Sequence, residues 1–210
     1  PDAIKSWSTG GGIWRWDQKL HQHYTLEEIQ AVVDECAMVG IPVWSHAEGY
    51  GGALDSCKAG VHLIIHGQAL NDQCLDLMAE KGIYFCPTIQ FLHEWFKIYQ
   101  PPYIPEVHDQ YPGDTVAEKE LHRVLGNLRK AQKRGIRLTI GSDSFCSSAT
   151  PYGVTAIKEM YCFVEEAGFT PMETLVAATA NGAEMLGVKD ITGTLTAGKY
   201  ADLLVLSQNP

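Results

Sequence analysis

Short apolar segments alternate with amphipathic helical patterns along the chain. Five apolar segments predict strands, and they cover 3–7, 43–46, 61–66, 83–87 and 137–142. Most of them are followed by a segment whose apolar residues recur at helical spacing. Because strands that alternate with helices pair in parallel, the pattern predicts an α/β fold with a parallel sheet and helices outside it. A closed eight-stranded barrel would need three more strands, so the pattern fits an open sheet or a piece of a barrel.

Capping and stop signals mark the predicted helices. Thr25 and Glu28 have the spacing of a capping box, and Asn71 precedes a helix that should run through Lys81 to a stop at Gly82. The other predicted segments are a short helix ending near residue 59, an irregular insert over 88–114, a helix over about 115–134, two or three helices around the Thr170-Pro171 start, and a last strand over 201–206.

Composition excludes several classes of protein. The chain has 210 residues, 45% hydrophobic and 20% charged, which is typical of a globular protein. A net charge of -9 without a basic stripe argues against nucleic-acid binding. The apolar runs are strand-sized, so no membrane span or membrane partner is expected. No signal peptide is visible, although a truncated start could hide one. Six scattered cysteines favour reduced thiols and a cytoplasmic location.

Metal-capable side chains stand where three predicted strands end, namely His46, His66 and Asp143, and Lys5 lies on the first strand. The carboxyl ends of barrel strands build active sites, and imidazole and carboxylate groups bind zinc and similar ions. Each residue also has an ordinary structural interpretation. A single histidine can be structural, Asp143 can cap a helix, and Lys5 can extend to solvent.

The motifs around these residues resemble the amidohydrolase superfamily, in particular its imidazolonepropionase-like and Xaa-Pro dipeptidase-like (prolidase) branch. Six short segments occur in the order of that family: Ile4-Lys5 with Ser8-Thr9-Gly10-Gly11, His46-Ala47-Glu48-Gly49, Ile64-Ile65-His66-Gly67, Gly141-Ser142-Asp143, the segment 178–183, and Gly193-Thr194-Leu195 with the run 198–206. The resemblance implies strands 4 to 8 of a TIM (β/α)8 barrel in residues 1–190. Residues 191–210 would then begin the C-terminal segment of a small β-sandwich domain.

The resemblance also implies roles for single residues. Lys5 would be carboxylated and bridge two metal ions, which are expected to be Zn²⁺ although manganese and iron fit the same ligand types. His46 and His66 would hold the second metal, and Asp143 would bind the first and serve as the catalytic proton shuttle. Two closely spaced cations lower the pKa of a bridging water, which gives a nucleophile at neutral pH.

The sequence departs from the family pattern at several points. The family's His-x-His ligand pair on the first barrel strand precedes the lysine, whereas this chain begins just before Lys5. His21 and His23 form a His-x-His that follows the lysine, and we interpret it as a polar loop. Ile65 stands where the family has a glutamate, so one residue that supports a ligand is missing. Both ends of the chain look cut.

Substrate contacts are the least specified part of the site. Aromatic residues follow the first and fourth predicted strands, which suggests an apolar substrate group or plain packing. Arg15 is a candidate partner for a substrate carboxylate or an ordinary surface arginine, and Glu48 and Tyr50 are further candidate substrate contacts. The expected partner is a small-molecule or dipeptide substrate, and the chain is expected to form a homo-oligomer.

Three functional interpretations remain open. The first is a binuclear hydrolase of an amide bond in a dipeptide or N-acyl amino acid. The second is an imidazolonepropionase-type cyclic-amide hydrolase or a mononuclear deaminase, against which Lys5 argues. The third is a non-catalytic fragment or interaction protein without the first-strand histidines. A doubly wound nucleotide-binding sheet is disfavoured because the Gly10 run leads into a Trp-rich loop and carries no dinucleotide fingerprint.

Overall fold

The fold is known from a computed structural model that describes residues 1–11, 21–98, 113–144 and 150–208, without the side chains of Trp95, Phe96 and Ile98. Strands and helices alternate from the amino terminus, and helices dominate the second half. The elements are β1 (Ile4–Trp7), α1 (Leu26–Met38), β2 (Val43–Ala47), α2 (Tyr50–Ala59), β3 (Leu63–His66), α3 (Asp72–Lys81), β4 (Tyr84–Cys86), α4 (Ile89–Ile98), α5 (Val116–Lys133), α6 (Val154–Glu165), α7 (Pro171–Ala178) and α8 (Ala180–Met185).

The four strands form one parallel sheet in the order β1-β2-β3-β4, which confirms the predicted α/β class. Lys5 lies opposite Trp44, Trp7 opposite His46, and His46 opposite Ile65. Residues that are opposite one another in a parallel sheet share a face, so one face carries these five side chains. The register therefore aligns the predicted ligands Lys5 and His46 on a common surface.

The other face of the sheet packs against the helices and forms the main core. Its largest fully buried side chains include Ile64, Leu75, Met78, Phe85, Leu128 and Phe163. Complete burial of a side chain of this size contributes roughly 1.5–3 kcal/mol, so the helix-covered face supplies most of the hydrophobic stabilisation. A smaller cluster of Leu63, Tyr84 and Cys86 lies on the opposite face, against Trp44, Ile65 and Met185. That opposite face is the one that carries His46.

The predicted helix starts are confirmed by hydrogen bonds. Thr25, Thr115 and Thr170 each form a complete capping box with the glutamate three residues later. Asn71 accepts a hydrogen bond from the Cys74 N–H, and Gly82 ends α3 in a left-handed conformation. Local side-chain chemistry thus sets these helix starts, as the sequence predicts.

The expectation of an irregular insert from Thr88 to Asp114 is wrong at its beginning, because α4 occupies Ile89–Ile98. The amino-terminal N–H groups of α4 are bound by Glu159 of α6, a partner 70 residues away along the chain. The sequence just before Ile89 contains no capping box, so this helix start could not be predicted from local residues. Residues 99–112 of the insert lie outside the described ranges.

Two predicted strands are corrected as well. The segment over 137–142 lies beside β4, but only Leu138 forms a bridge, with Phe85, and two hydrogen bonds of 3.0 and 2.9 Å join Phe85 to Arg137 and Thr139. Residues 201–206 form no strand and are exposed. No described segment pairs with them, and a strand without a partner leaves its backbone groups to water. The predicted last strand is therefore absent from this structure.

Other expectations concern cysteines and membranes. Cys36, Cys57, Cys74, Cys86 and Cys162 are all buried free thiols, as predicted, and Cys146 lies outside the described residues. In the described part of the chain, every helix is too short or too polar to cross a bilayer.

Candidate metal centre at the carboxyl ends of the strands

Three buried side chains with metal-binding atoms converge where β2 and β3 end. One ligand atom from each of His46, Glu48 and His66 lies within 4.8 Å of the other two. Each residue is at most 3% exposed. His46 Nε2 and Glu48 Oε1 are 3.8 Å apart, which is longer than a hydrogen bond and close to the spacing of two ligands on one ion. The structure thus brings together the two histidines predicted as ligands of one metal.

Aromatic contacts hold His46 in place. The Trp7 ring stacks on the His46 ring with centroids 4.1 Å apart, and the His66 ring meets His46 edge-on at 4.6 Å. A Cβ on Gly11 would lie 3.0 Å from the Trp7 ring and 3.4 Å from His46 Nε2. Glycine at this position therefore lets the loop after β1 approach the imidazole closely.

A hydrogen bond between His66 and Thr88 fixes how the His66 ring is presented. His66 Nδ1 and Thr88 Oγ1 are 2.7 Å apart, and the Thr88 hydroxyl donates to the Pro87 carbonyl at 2.7 Å. Since a hydroxyl has one proton, Thr88 accepts from His66, and Nδ1 therefore carries the ring proton. The lone pair of the ring then resides on Nε2, which is the state a metal ligand needs.

Three residues at or just after the ends of the parallel segments have left-handed backbone conformations that L-residues rarely adopt. They are His66 with a φ of 72°, Thr88 with 52° and Asp143 with 45°, and the described residues contain no other non-glycine positive φ. Such a conformation costs on the order of 1–3 kcal/mol and persists only where the surroundings enforce it. His66 follows Ile64 on the helix-covered face by alternation, yet its ring contacts His46 on the other face. The strained backbone redirects it.

Hydroxyl groups fix the loop that carries Glu48. The N–H groups of Glu48 and Gly49 donate to Thr9 Oγ1 at 2.8 and 3.2 Å. Beneath them, a ring of three fully buried hydroxyls joins β1, β2 and α2, with Oγ–Oγ separations of 2.7 to 3.0 Å among Ser8, Ser45 and Ser56. These bonds tie the Ser8-Thr9 motif to the strand and loop that carry His46 and Glu48.

Lys5 and Asp143, the other two predicted ligands, are not part of the compact group of His46, Glu48 and His66. Lys5 is exposed on edge strand β1, with Nζ 5.7 Å from the Trp7 ring centroid. Burial raises the pKa of Asp143 above its usual range, and the positive charge of Lys5 acts in the opposite direction, so the two residues are within electrostatic reach. Among the described side chains, the compact group holds only His46, Glu48 and His66.

Glu159 supports the same region from α6. Its fully buried carboxylate accepts the N–H groups of Ile89 at 2.9 Å and Gln90 at 2.6 Å. Burial raises the pKa of Glu159 to about 7, and these two hydrogen bonds oppose the rise. Because Ile89 directly follows Thr88, this contact anchors the residue that orients His66.

The remaining predicted residues have varied positions. Tyr50 begins α2, is 41% exposed, and donates to Gln73 Oε1 at 3.1 Å. His21 and His23 are exposed beside an isolated bridge between Thr9 and Gln22, as a polar loop would be. His62 contacts the Met185 carbonyl at 2.9 Å, which fits a structural role. Arg15 lies outside the described residues.

Sequence reasoning missed two supporting residues and assigned a third differently. The sequence predicts that Thr88 begins a loop, and no local pattern marks it as the partner of a histidine 22 residues earlier. Glu159 lies in an ordinary helical pattern, and its contact with α4 spans 70 residues. The sequence predicts Glu48 as a substrate contact, whereas its carboxylate lies within the histidine cluster.

Comparison with known proteins gives the family. The model of the amidohydrolase family matches residues 15–210. This chain belongs to the amidohydrolase family. Ochratoxinase from Aspergillus niger is 29% identical over 209 residues, which cover 99% of this chain and 41% of that protein. Imidazolonepropionase from Rhizobium rhizogenes is 27% identical over 186 residues, 87% of this chain and 39% of that protein.

Solved structures agree with the family assignment. A Xaa-Pro dipeptidase with methionine bound in its active site superposes with a TM-score of 0.75 and 31% identity over 95% of this chain and 47% of that one. The crystal structure of the A. niger ochratoxinase gives a TM-score of 0.80 and 28% identity over 100% of this chain and 45% of that one. The amidohydrolase chain thus spans less than half the length of these relatives, and its structural neighbours include prolidase-like proteins.

Proposed function

We propose that this protein is a metal-dependent hydrolase of a C–N bond in a dipeptide or an N-acyl amino acid. The observation that carries the proposal is the convergence of His46, Glu48 and His66 within 4.8 Å at the strand ends. Membership of the amidohydrolase family supports it, as do similarities to an ochratoxinase and to a Xaa-Pro dipeptidase.

The donor set fits a divalent ion. Imidazole nitrogen and carboxylate oxygen are ligands of zinc and similar metals, and the Thr88 contact leaves the lone pair of His66 on Nε2. We assign His46 and His66 as ligands and Glu48 as a ligand or as a neighbour that orients them. We propose that Lys5, once carboxylated, would help to hold a second ion. When bound, the metal would supply a water of lowered pKa and would polarise the scissile carbonyl.

The protein's own residues then supply positioning and proton transfer. Asp143 has a left-handed backbone conformation just after the segment beside β4, and it is half-buried within electrostatic reach of Lys5. We propose that its carboxylate takes a proton from the attacking water and delivers it to the leaving nitrogen. The stacked Trp7 ring and the Thr88 hydroxyl keep the two imidazoles from rotating.

The same proposal includes the larger architecture. We assign β1 to β4 and the segment beside β4 to strands 4 to 8 of a (β/α)8 barrel within residues 1–190. We assign residues 191–210, which form no strand in this structure, to the start of the C-terminal segment of a small β domain. Two observations support this assignment. The four strands pair in parallel in their chain order, and the cluster of His46, Glu48 and His66 lies at the carboxyl ends of β2 and β3.

For the substrate, we propose a carboxylate-bearing molecule that Arg15 pairs with through its guanidinium fork. Reversing the charge with Arg15→Glu should raise KM for dipeptides and N-acyl amino acids while leaving KM unchanged for neutral amides. An unchanged KM for carboxylate substrates would remove Arg15 from the proposal.

A second candidate is a cyclic-amide hydrolase that uses one metal ion. The similarity to imidazolonepropionase favours it, and the compact group of described residues supplies ligands for one ion rather than two. Lys5 on the face of His46 argues for the binuclear form, since a carboxylated lysine serves to bridge two ions.

Counting metals per chain by elemental analysis, on protein purified with bicarbonate, separates these candidates. A metal content that falls in both His46→Asn and Lys5→Ala, together with hydrolysis of dipeptide or N-acyl substrates, would support the binuclear hydrolase. One metal that is lost in His46→Asn but kept in Lys5→Ala would favour the mononuclear alternative. A metal content that neither variant lowers, with no hydrolysis, would contradict both and favour a non-catalytic chain.

A further inference from the structure

A second group of metal-capable side chains lies between α4 and α6, and we call it the helix group or helix site. It is separate from His46, Glu48 and His66, which we call the strand-end cluster. His93 comes from α4, Cys162 from α6, and Glu166 is the cap residue directly after α6. One ligand atom from each lies within 4.8 Å of the other two. His93 Nε2 is 2.8 and 3.0 Å from the two Glu166 carboxylate oxygens.

The spacing of these residues places two side chains with metal-binding atoms on one face of each helix. On α4, Gln90 and His93 are three residues apart, and Cys162 and Glu166 are four apart on α6, so each pair lies on one helix face. The Cys162 thiol is 3.8 Å from Gln90 Oε1. Four donors of nitrogen, sulfur and oxygen type therefore face one another across the two helices.

We propose that His93, Cys162 and Glu166 form a second transition-metal site, with zinc as the preferred ion and Gln90 or water as a fourth ligand. Thiolate, imidazole and carboxylate are all zinc ligands, and bonds of roughly 2.0–2.3 Å separate two tetrahedral ligands by about 3.3–3.8 Å. The separations among these three side chains, from 2.8 Å to at most 4.8 Å, bracket that range.

Charge and exposure suit an ion at this position. Thiolate and carboxylate together neutralise a divalent cation. Without an ion, burial and the charges of Glu166 and Glu159 raise the pKa of the Cys162 thiol, and a bound cation would offset this by stabilising the thiolate. Cys162 is 3% exposed, whereas the side chains of His93 and Glu166 are 32% and 30% exposed. The outer two ligands therefore give an ion a path from solvent to the buried sulfur. On binding, the Cys162 thiol gives up its proton to water, and the His93–Glu166 hydrogen bond is replaced by two metal bonds.

The two sites differ in one testable respect, because the strand-end cluster contains no sulfur ligand. Among the described residues, Cys86 belongs to neither group of converging ligand atoms, so its thiol should bind neither ion. A metal that reports sulfur bonding therefore identifies the helix site whether or not the strand-end cluster is filled.

The test is a titration of the reduced, metal-free chain with cobalt(II), followed by its absorption spectrum. We expect a thiolate-to-cobalt charge-transfer band that rises to one equivalent and that zinc displaces. Cys162→Ser should abolish the band, whereas the control variants Cys86→Ser and Cys146→Ser should retain it. His46→Asn should also retain it, which separates this site from the proposed active site.

Because Cys162 is buried, Cys162→Ser could fail to fold. Variants of the two partly exposed ligands therefore test the site independently. His93→Gln and Glu166→Gln change side chains at the surface, so each variant should keep the far-UV circular dichroism spectrum of the parent. Each should lower the cobalt affinity, measured from the charge-transfer band, by about tenfold or more. The proposal is overturned if no charge-transfer band develops, if the band survives in Cys162→Ser, or if both surface variants bind cobalt as the parent does.

Discussion

Two groups of three metal-capable side chains occur in the described structure, and their backbones differ. His46, Glu48 and His66 stand at strand ends, and the chain bends through left-handed conformations at His66 and at its partner Thr88. His93, Cys162 and Glu166 sit at ordinary helical spacing, and none of them has a positive φ.

The difference indicates which group the fold is built around. Strained backbone persists only where surrounding contacts enforce it, and His66 is enforced by Thr88, by the Glu159-capped start of α4 and by the His46 ring. The helix group requires no such enforcement. We therefore expect the strand-end cluster to carry the chemistry and the helix group to affect binding of its own ion alone.

The largest expected effect is the loss of hydrolysis when a histidine of the strand-end cluster is replaced, compared with a histidine of the helix group. His46→Asn should lower hydrolysis by about 10³-fold or more and reduce the metal content, because a ligand of the reacting metal is lost. The matched variant His93→Asn should change hydrolysis by less than about threefold. Equal losses in kcat/KM from the two variants would end the distinction between the groups.

A second effect concerns the buried carboxylate that supports Thr88. The pKa of Glu159 is about 7 in the folded protein and near 4.5 in the unfolded chain. The folded state therefore binds more protons between these values, and this residue's contribution to stability falls as pH rises from 4.5 to 7 by on the order of 3 kcal/mol.

Glu159→Gln isolates that contribution, because glutamine does not titrate. The free energy of unfolding of the parent minus that of the variant should decrease as pH rises through this window and stay level above it, as measured by urea denaturation. A difference that stays constant from pH 4.5 to 7 would contradict the assignment.

Thr88→Val should have a smaller effect on the metal site. The variant removes the hydroxyl that holds His66 Nδ1, and loss of such a supporting contact typically costs 10–100-fold in metal affinity or activity. Thr174→Val is the control, since Thr174 is equally buried at 2% exposed and its hydroxyl donates to the carbonyl of Thr170, the cap residue of α7. Zinc affinity measured with a competing chelator should fall in Thr88→Val alone; an equal fall in both variants would show a general packing effect.

The smallest expected effect is on the free energy of unfolding. It tests whether metal binding at the strand-end cluster is independent of the stability of α5. Thr115→Ala removes the cap of α5 and should lower the free energy of unfolding by about 1 kcal/mol in urea denaturation. Metal content should remain unchanged. A loss of metal in this variant would mean that the strand-end cluster depends on global stability rather than on its own contacts.

Local signals made the first half of the fold predictable. Threonine and asparagine caps set the helix starts, and apolar runs ending in His46 and His66 marked the strand ends. The resemblance added the expected grouping of these histidines. The strand over 201–206 failed because pairing depends on a partner that the hydrophobic pattern does not supply.

The supporting residues could not be predicted because their contacts are long-range. Glu159 reaches the start of α4 across 70 residues, and Thr88 meets His66 only after the chain bends through two left-handed residues. Sequence patterns report which face a side chain takes in regular structure. They carry no information on a residue such as His66 that the backbone turns to the other face.

The most direct test of the central claim is a crystal structure of the zinc-loaded protein with anomalous scattering measured at the zinc edge. We predict an anomalous peak within bonding distance of His46 and His66, with His66 coordinating through Nε2 and Thr88 still bonded to Nδ1. A zinc-loaded crystal with no peak between these two histidines would contradict the account, even if a peak were present between α4 and α6.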